Sequence, residues 1–330
     1  MVTPDAAGAL ARALGPRATL DAPLGPLTTY GVGGPAAVLV EVEGPADLDA
    51  LRAAVRDSDL PLFVIGRGSN LLVADAGFAG VAVHLGAGFA GLELPAGPEG
   101  AVVRAGAALA LPVLARRVAD AGWSGLAWAV GVPGSVGGAV RMNAGGHGSD
   151  MASCLVRYTW ADLRSADGGT DEVSRLDYSY RSSSVTASQL VLGADLHVRP
   201  GSVPAEQAAV SEIVRWRRAH QPGGANAGSV FTNPEDDAAG RLIEEAGLKG
   251  FRLGTAHVSE KHANFIQADK GGRADDVRAL MEHVRTVVAD RTGVTLRTEV
   301  RLLGFGDGKT GAVAGTEQRA DDARERGGRP

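Results

Sequence analysis

Two glycine-dense loops, each entered from an apolar run, limit what this chain can fold into. The first is Val64-Ile65-Gly66-Arg67-Gly68-Ser69-Asn70-Leu71-Leu72. The second is Gly131-Val132-Pro133-Gly134-Ser135-Val136-Gly137-Gly138, followed closely by Asn143 and Gly145-Gly146. Glycine loses more backbone freedom on folding than any other residue. Six glycines in the sixteen positions 131–146 therefore point to something that must approach the main chain closely. Consecutive N–H groups in such turns form an anion-binding concavity suited to a pyrophosphate. The first loop is neither a Walker loop, lacking Gly-Lys-Ser/Thr, nor a G-x-G-x-x-G that opens a helix. Alone it reads equally as a tight turn. Together the two loops suit one dinucleotide clamped between two lobes.

The runs around the loops organise the chain. Residues 1–20 are Ala-rich and weakly helical, and are read as an N-terminal extension. Ala37–Val42 is the first clear strand. Pro45 opens a helical stretch with Leu48, Leu51 and Val55 on one face, and Leu62–Ile65 and Val81–His84 are short apolar strands. Strand, helix, strand and glycine loop make a first α/β unit over 21–86. A second unit, 87–203, holds a strand at Ala101–Arg104 and a helix opened near Pro112 and ended by Gly122. The stretch from Gly125 to Gly148 reads as loop around short strands, and further strands are expected at Leu155–Trp160 and Leu190–His197. A third unit spans 204–304, with helices at Glu206–His220 and Arg273–Arg291. In the latter, Val277, Leu280, Met281, Val284, Val287 and Val288 recur at spacings of three and four. Val294–Leu302 alternates as a strand. Residues 305–330 have almost no core residues and are expected to be a disordered tail. No internal repeat is visible. The fold class expected is α+β, two lobes plus a C-terminal α+β domain.

Composition narrows the partners. With 45% hydrophobic and 22% charged residues, the chain can bury a sizeable core across two or three units. A net charge of −5 disfavours non-specific binding to nucleic acid or anionic membranes. The 33 basic residues include only four lysines (249, 261, 270 and 309), leaving 29 arginines. The single cysteine, Cys154, excludes an internal disulfide, and no histidine pair has metal-ligand spacing. The start, MVTPDAAGALARAL, shows no basic segment followed by an apolar core, and no run approaches a membrane span. A cytoplasmic protein is expected.

Further motifs follow in order: Thr28-Thr29-Tyr30-x-Val32-Gly33-Gly34-Pro35-Ala36, Tyr178-Ser179-Tyr180-Arg181 and Ala227-Gly228-Ser229-Val230-Phe231-x-Asn233-Pro234. After them come Ala239-Gly240-x-Leu242-Ile243-Glu244-x-Ala246-Gly247-Leu248-Lys249-Gly250, Val258-Ser259-x-Lys261-His262-Ala263-Asn264-Phe265-Ile266 and Glu299-Val300-Arg301. The glycine loops with the Thr28–Ala36 motif resemble the FAD-binding lobes of the vanillyl-alcohol-oxidase (PCMH) class. The whole series, over about residues 25–304, resembles the UDP-N-acetylenolpyruvoylglucosamine reductase (MurB) family, in its type II form.

The resemblance implies non-covalent FAD, NADPH as hydride donor and a UDP-sugar substrate, in a monomer or weak homodimer. FAD would be held by Gly33, Gly34, Ile65, Gly66, Arg67, Gly68, Ser69, Asn70, Leu71, Gly131, Val132, Pro133, Gly134, Ser135, Gly137, Gly138, Asn143 and Gly145. Hydride passes from NADPH to the flavin and then to C3 of the enolpyruvyl group. Charge builds on the carboxylate as an enediolate, and C2 takes a proton. Such chemistry wants a cation by the carboxylate, an acid and a proton donor. Arg181, Glu299 and Ser229 match the family positions for these roles, while Tyr180, Arg217, Asn233, Lys261 and His262 are the expected substrate contacts. Arg215 and Arg218 are further candidates for phosphates.

By residue type alone, each catalytic candidate has an ordinary reading. Arg181 could lie over aromatic rings and Ser229 could cap a turn. Glu299 shares its strand face with Arg297 and Arg301 and could simply join them in a solvated salt-bridge ladder. Two rival functions share parts of the pattern: a PCMH-type FAD oxidase of a sugar or alcohol, and a non-catalytic UDP-sugar-binding relative. His84, His197 and His283 read as structural or exposed. His147 and Cys154 read as bystanders to a non-covalently held flavin.

Overall fold

The computed structural model describes residues 4–97 and 101–306; the tail expected from 305 therefore lies, from 307 onward, outside the described residues. The first lobe is a four-stranded sheet. It contains β1 (Ala18–Pro23), β2 (Pro35–Val42), β3 (Leu62–Ile65) and, after a short strand β4 (Leu71–Val73), β5 (Phe78–Leu85). The order is β1-β2-β5-β3, with β1 antiparallel to β2 and β5 parallel to both β2 and β3. Alternation in β2 buries Ala36, Val38, Val40 and Val42.

Helix α1 (Pro4–Leu14) buries Ala7, Leu10 and Leu14 at helical spacing. It packs against β1 and against α2 (Pro45–Val55), which Pro45 opens and which buries Leu48, Leu51 and Val55. Residues 4–20 are thus packed on the first lobe, and a boundary at residue 20 falls inside β1. That strand escaped sequence reading because it exposes most of its side chains and is held by its register with β2.

The second lobe is antiparallel: β6 (Leu92–Glu93), β7 (Val102–Gly106), β8 (Leu155–Asp162), β9 (Gly168–Glu172) and β10 (Gln189–His197), in the order β9-β8-β10-β7-β6. Helix α3 (Leu111–Asp120) turns Leu111, Leu114, Ala115, Val118 and Ala119 inward. The glycine-rich stretch read as loop contains a helix, α4 (Val136–Met142), capped by the Ser135 hydroxyl, which accepts from the Gly138 amide at 3.3 Å. Two glycines in seven residues hid it, since glycine is a poor helix former. Both lobes contribute to one continuous core.

Helix α5 (Val203–His220) packs on α3 and on the turn at 127–131, and its Val210 joins that same core. The third unit expected from 204 therefore opens with a helix whose apolar face belongs to the second lobe. The third unit's own core starts at Ala227 and holds α6 (Ala239–Glu245), an antiparallel trio β11 (Arg252–Leu253), β12 (Ala256–Val258) and β13 (Ile266–Ala268), and α7 (Ala274–Thr292). Helix α7 buries Val277, Leu280, Met281, Val284 and Val288 and stops at Gly293, φ +74°.

The expected strand Val294–Leu302 is mostly irregular, although its alternation survives in buried Leu296, Val300 and Leu302. A regular strand, β14 (Arg301–Leu303), forms only at its end. It pairs in parallel with β4, Arg301 opposite Leu71 and Leu303 opposite Val73. The chain thus leaves the third unit to complete the first lobe, carrying residue 299 up to the first glycine loop.

Candidate active site

The first loop is seated by close backbone packing. At Gly68, φ +56°, a Cβ would lie 2.2 Å from the Leu27 carbonyl oxygen, so no side chain fits. Gly33 and Gly34 serve the same end from the other side. Their Cβ positions fall 2.7 Å from the Val73 oxygen and 2.2 Å from the Asp75 oxygen, and the Gly34 amide donates to the Ala74 carbonyl at 2.8 Å. These two glycines dock the turn on the lobe and do not line the cavity described next.

The two glycine loops touch. Ser69 Oγ donates to the Pro133 carbonyl at 2.9 Å, and a Cβ at Gly66 would lie 2.6 Å from Ser135 Oγ. Between them and the third unit opens a cavity of about 460 Å³. One wall runs through Ile65, Gly66, Arg67, Gly68, Ser69, Asn70 and Leu71. Another is Gly131 to Ser135 with Gly138 and Gly145, and the far side carries Arg181, Arg217, Ser229 and Glu299. Gly137 faces a second, adjoining cavity of about 250 Å³.

Arg181 occupies a left-handed conformation, φ +55°. Its Nε donates to Glu299 Oε1 at 2.8 Å and its Nη2 to the Gly145 carbonyl at 2.9 Å. It also lies over the Tyr180 ring, 5.2 Å from the centroid, so the aromatic contact and the ion pair coexist. Tyr180 itself is 63% exposed and outside the cavity. Asn143 is buried at the end of α4, where Nδ2 donates to the Ser179 carbonyl at 3.2 Å and Oδ1 accepts from the Ala152 amide at 3.0 Å. It does not line the cavity; it fixes the segment that presents Arg181.

Glu299 is held from two sides: its amide donates to the Val230 carbonyl, and Asn70 Nδ2 donates to its own carbonyl at 3.2 Å. Burial raises its carboxyl above the usual range, against the opposing pull of Arg181. Ser229 follows Gly228, φ +77°, whose amide donates to Asn226 Oδ1 at 3.0 Å. Asn226 in turn donates to the Gly223 and Gly224 carbonyls, so a side-chain-built turn presents the serine.

Three partly buried arginines line the cavity with no carboxylate within ion-pair distance among the described residues: Arg141, Arg217 and Arg301. Burial pulls all three below the ordinary guanidinium range, Arg141 to about 10 with help from the charge of Arg301. Desolvated cations left unpaired by the protein favour an anionic ligand. Arg141 had no signal in the sequence, being one arginine among many.

The other expected substrate contacts lie elsewhere. Asn233 Oδ1 accepts from the Ala239 amide at 3.1 Å, at the start of α6. Lys261 donates to the Arg218 carbonyl and lines a separate open cleft that shares Pro222, Gly223 and Gly224 with the main cavity. His262 packs edge-on to Phe265, whose ring reaches the cavity, and burial lowers its pKa. Arg215 and Arg218 do not line the cavity. Cys154 is buried, its thiol pushed up to about 12 by burial, and neither it nor His147 lines either of the two cavities. His84, read as structural or exposed, lines the second cavity, with Nδ1 buried and unpartnered.

Comparison with known proteins adds the family. Residues 36–170 match a model described as FAD binding domain, and residues 220–303 match one described as UDP-N-acetylenolpyruvoylglucosamine reductase, C-terminal domain. A UDP-N-acetylenolpyruvoylglucosamine reductase of Synechococcus sp. (strain RCC307) is 43% identical over 287 residues, 86% of this chain and 93% of the relative. One from Acidiphilium cryptum (strain JF-5) is 42% identical over 292 residues, 88% of this chain and 92% of the relative. The crystal structure of the reductase from Thermus caldophilus superposes with a TM-score of 0.74 at 34% identity, covering 86% of this chain and 97% of that one.

Proposed function

The chain belongs to the UDP-N-acetylenolpyruvoylglucosamine reductase family, and from that premise we propose that Arg181, Ser229 and Glu299 carry its reaction in the larger cavity. The enzyme is an FAD-dependent oxidoreductase that uses NADPH to reduce UDP-N-acetylenolpyruvoylglucosamine to UDP-N-acetylmuramate for peptidoglycan synthesis. The residues present fit FAD: the first loop tolerates no side chain at Gly68, at Gly66 any side chain would have to displace the Ser135 hydroxyl of the second loop, and partly buried arginines without a carboxylate partner among the described residues line the space they enclose. FAD held there by the two glycine loops would supply the hydride chemistry that links NADPH to C3 of the enolpyruvyl group.

The chain's own residues handle the charge and the proton. Arg181 offers a planar, permanently charged fork to the substrate carboxylate. Glu299 in its protonated form stabilises the developing enediolate by hydrogen bonding. Ser229 gives its proton to C2; a serine hydroxyl is a weak acid, so the negative charge already built on the substrate draws the proton across. Arg217 and Arg301 supply cations for phosphate. The observation that carries this reading is the convergence of Arg181, Ser229 and Glu299, from three distant stretches of sequence, on one cavity walled by both glycine loops. An oxidase would leave the serine and the buried carboxyl without a role.

A cytoplasmic location and a monomer or weak homodimer belong to the same proposal; no described helix is long and apolar enough to cross a membrane. The test is anaerobic. NADPH should bleach the flavin bands, and UDP-N-acetylenolpyruvoylglucosamine alone should restore them. Recovery only on admitting oxygen would contradict the reading.

A further inference from the structure

Helix α7 carries no cap of its own. Its N-cap position is taken by Arg273, extended at φ −114° and ψ 134°, whose side chain makes no capping hydrogen bond. The acids of its first turn are engaged elsewhere. Asp276 Oδ2 accepts from the Thr255 amide and hydroxyl, each at 2.8 Å, and Asp275 Oδ2 accepts from Arg273 Nη2 at 3.3 Å. The first amides of a helix need acceptors from outside it, and here they find one in the first lobe, 199 residues back from Ala274. Asp75 Oδ1 accepts from the Ala274 amide at 2.8 Å, and Oδ2 from the Asp275 amide and Arg273 Nε at 3.2 Å each. A carboxylate suits that place because it meets both the free N–H groups and the positive end of the helix dipole.

We propose that Asp75 is a positioning residue for the substrate half-reaction: by capping α7 from the first lobe, it fixes how the third unit presents Ser229 and Glu299 to the glycine loops. The proposal rests on the roles given to those two residues above. Asp75 stands two residues beyond β4, on a turn anchored by the Gly34 amide bonding to the Ala74 carbonyl and the Ala74 amide to the Leu303 carbonyl, both at 2.8 Å. Because β4 also pairs with β14, residues 71–75 grip the third unit twice, at the strand that follows Glu299 and at the start of α7. A three-residue strand pairing alone leaves the unit free to rock about it. Tyr30, Val32 and Leu72 of the first lobe enter its core as well, but apolar contact is non-directional. The cap is directional and removes the remaining freedom. Inside the third unit the setting is passed on. The Glu299 amide donates to the Val230 carbonyl and the Val230 amide to the Asn264 carbonyl, both at 2.8 Å, so Ser229 and Glu299 move together.

The test follows FAD-loaded variants anaerobically through both half-reactions, at saturating NADPH and then saturating UDP-N-acetylenolpyruvoylglucosamine. Asp75→Ala should bleach with NADPH at close to the unsubstituted rate, while reoxidation by the substrate slows roughly 10- to 100-fold, the cost of a small misplacement of reacting groups. Asp75→Asn keeps an acceptor for the Ala274 amide and should restore most of that rate. Arg273→Ala removes only the exposed ion pairs with Asp75 and Asp275 and should change little. Asp75→Ala combined with Arg273→Ser gives α7 a local cap. Its Tm should recover, and its reoxidation should stay slow. If Asp75→Ala does not fold, this double variant carries the comparison alone. Normal reoxidation in Asp75→Ala, equal slowing of both half-reactions, or recovery of rate together with Tm in the double variant overturns the proposal. A mistaken role for Ser229 would show separately, as an unchanged reoxidation rate in Ser229→Ala.

Discussion

Glu299 sits between opposing influences. Burial disfavours its carboxylate, while Arg181 at 2.8 Å favours it, and burial prevails. A substrate carboxylate arriving beside Arg181 adds negative charge and raises the Glu299 pKa further. The half-reaction that consumes substrate should therefore slow as pH rises through that raised value, whereas reduction by NADPH should not show this limb. Glu299→Gln, neutral at every pH, should flatten it; an unchanged limb in that variant would exclude Glu299 as the titrating group. Stability has the same sign. The folded-state pKa lies above the unfolded one, so the stabilising contribution is full below the unfolded carboxyl range and is lost as pH rises through the folded value. As cavity-lining residues, Arg181, Ser229 and Glu299 were legible because each stands in an ordered series of motifs. Arg141 was not, since a lone arginine acquires meaning only from the cavity it lines.

At the level of elements, Pro112 and Gly122 marked α3, and apolar periodicity announced α2 and α7, whose expected faces are buried except for the half-buried Val287. It failed for α4, whose glycines mask its helical propensity, and for β1, which is stabilised by pairing and not by burial. It also failed to place β14, because the partner strand lies far back in the sequence at Leu71–Val73. Glycines also differ among themselves. Gly68→Ala places a Cβ 2.2 Å from the Leu27 oxygen and 2.5 Å from the Thr28 Cα, both backbone atoms, at φ +56°. Gly31→Ala has a similar φ of +67° but nothing within 4 Å. The second change should destabilise by about 1 kcal/mol, from left-handed strain alone. The first should destabilise by at least about 2 kcal/mol and weaken flavin retention, as chemical denaturation and flavin release would show. Equal losses would refute the packing argument.

Over the whole molecule, a shared core joins the two lobes, and β14 ties the third unit back to the first. Flavin bound between them should stabilise the folded chain by linkage. At a hundredfold excess over Kd the gain is about 2.7 kcal/mol, or roughly 5 °C in Tm, read by calorimetry of apo- and FAD-loaded protein. The absence of any shift would contradict an inter-loop site. The same closure delivers Glu299 and Ser229 to one cavity, and their joint action is the central claim. The most direct test is anaerobic stopped-flow of Ser229→Ala through both half-reactions. Bleaching by NADPH should proceed as in the unsubstituted enzyme, while recovery with UDP-N-acetylenolpyruvoylglucosamine should slow by about a hundredfold or more. Recovery at the unsubstituted rate would show that the proton comes from elsewhere and that Ser229 is not the donor.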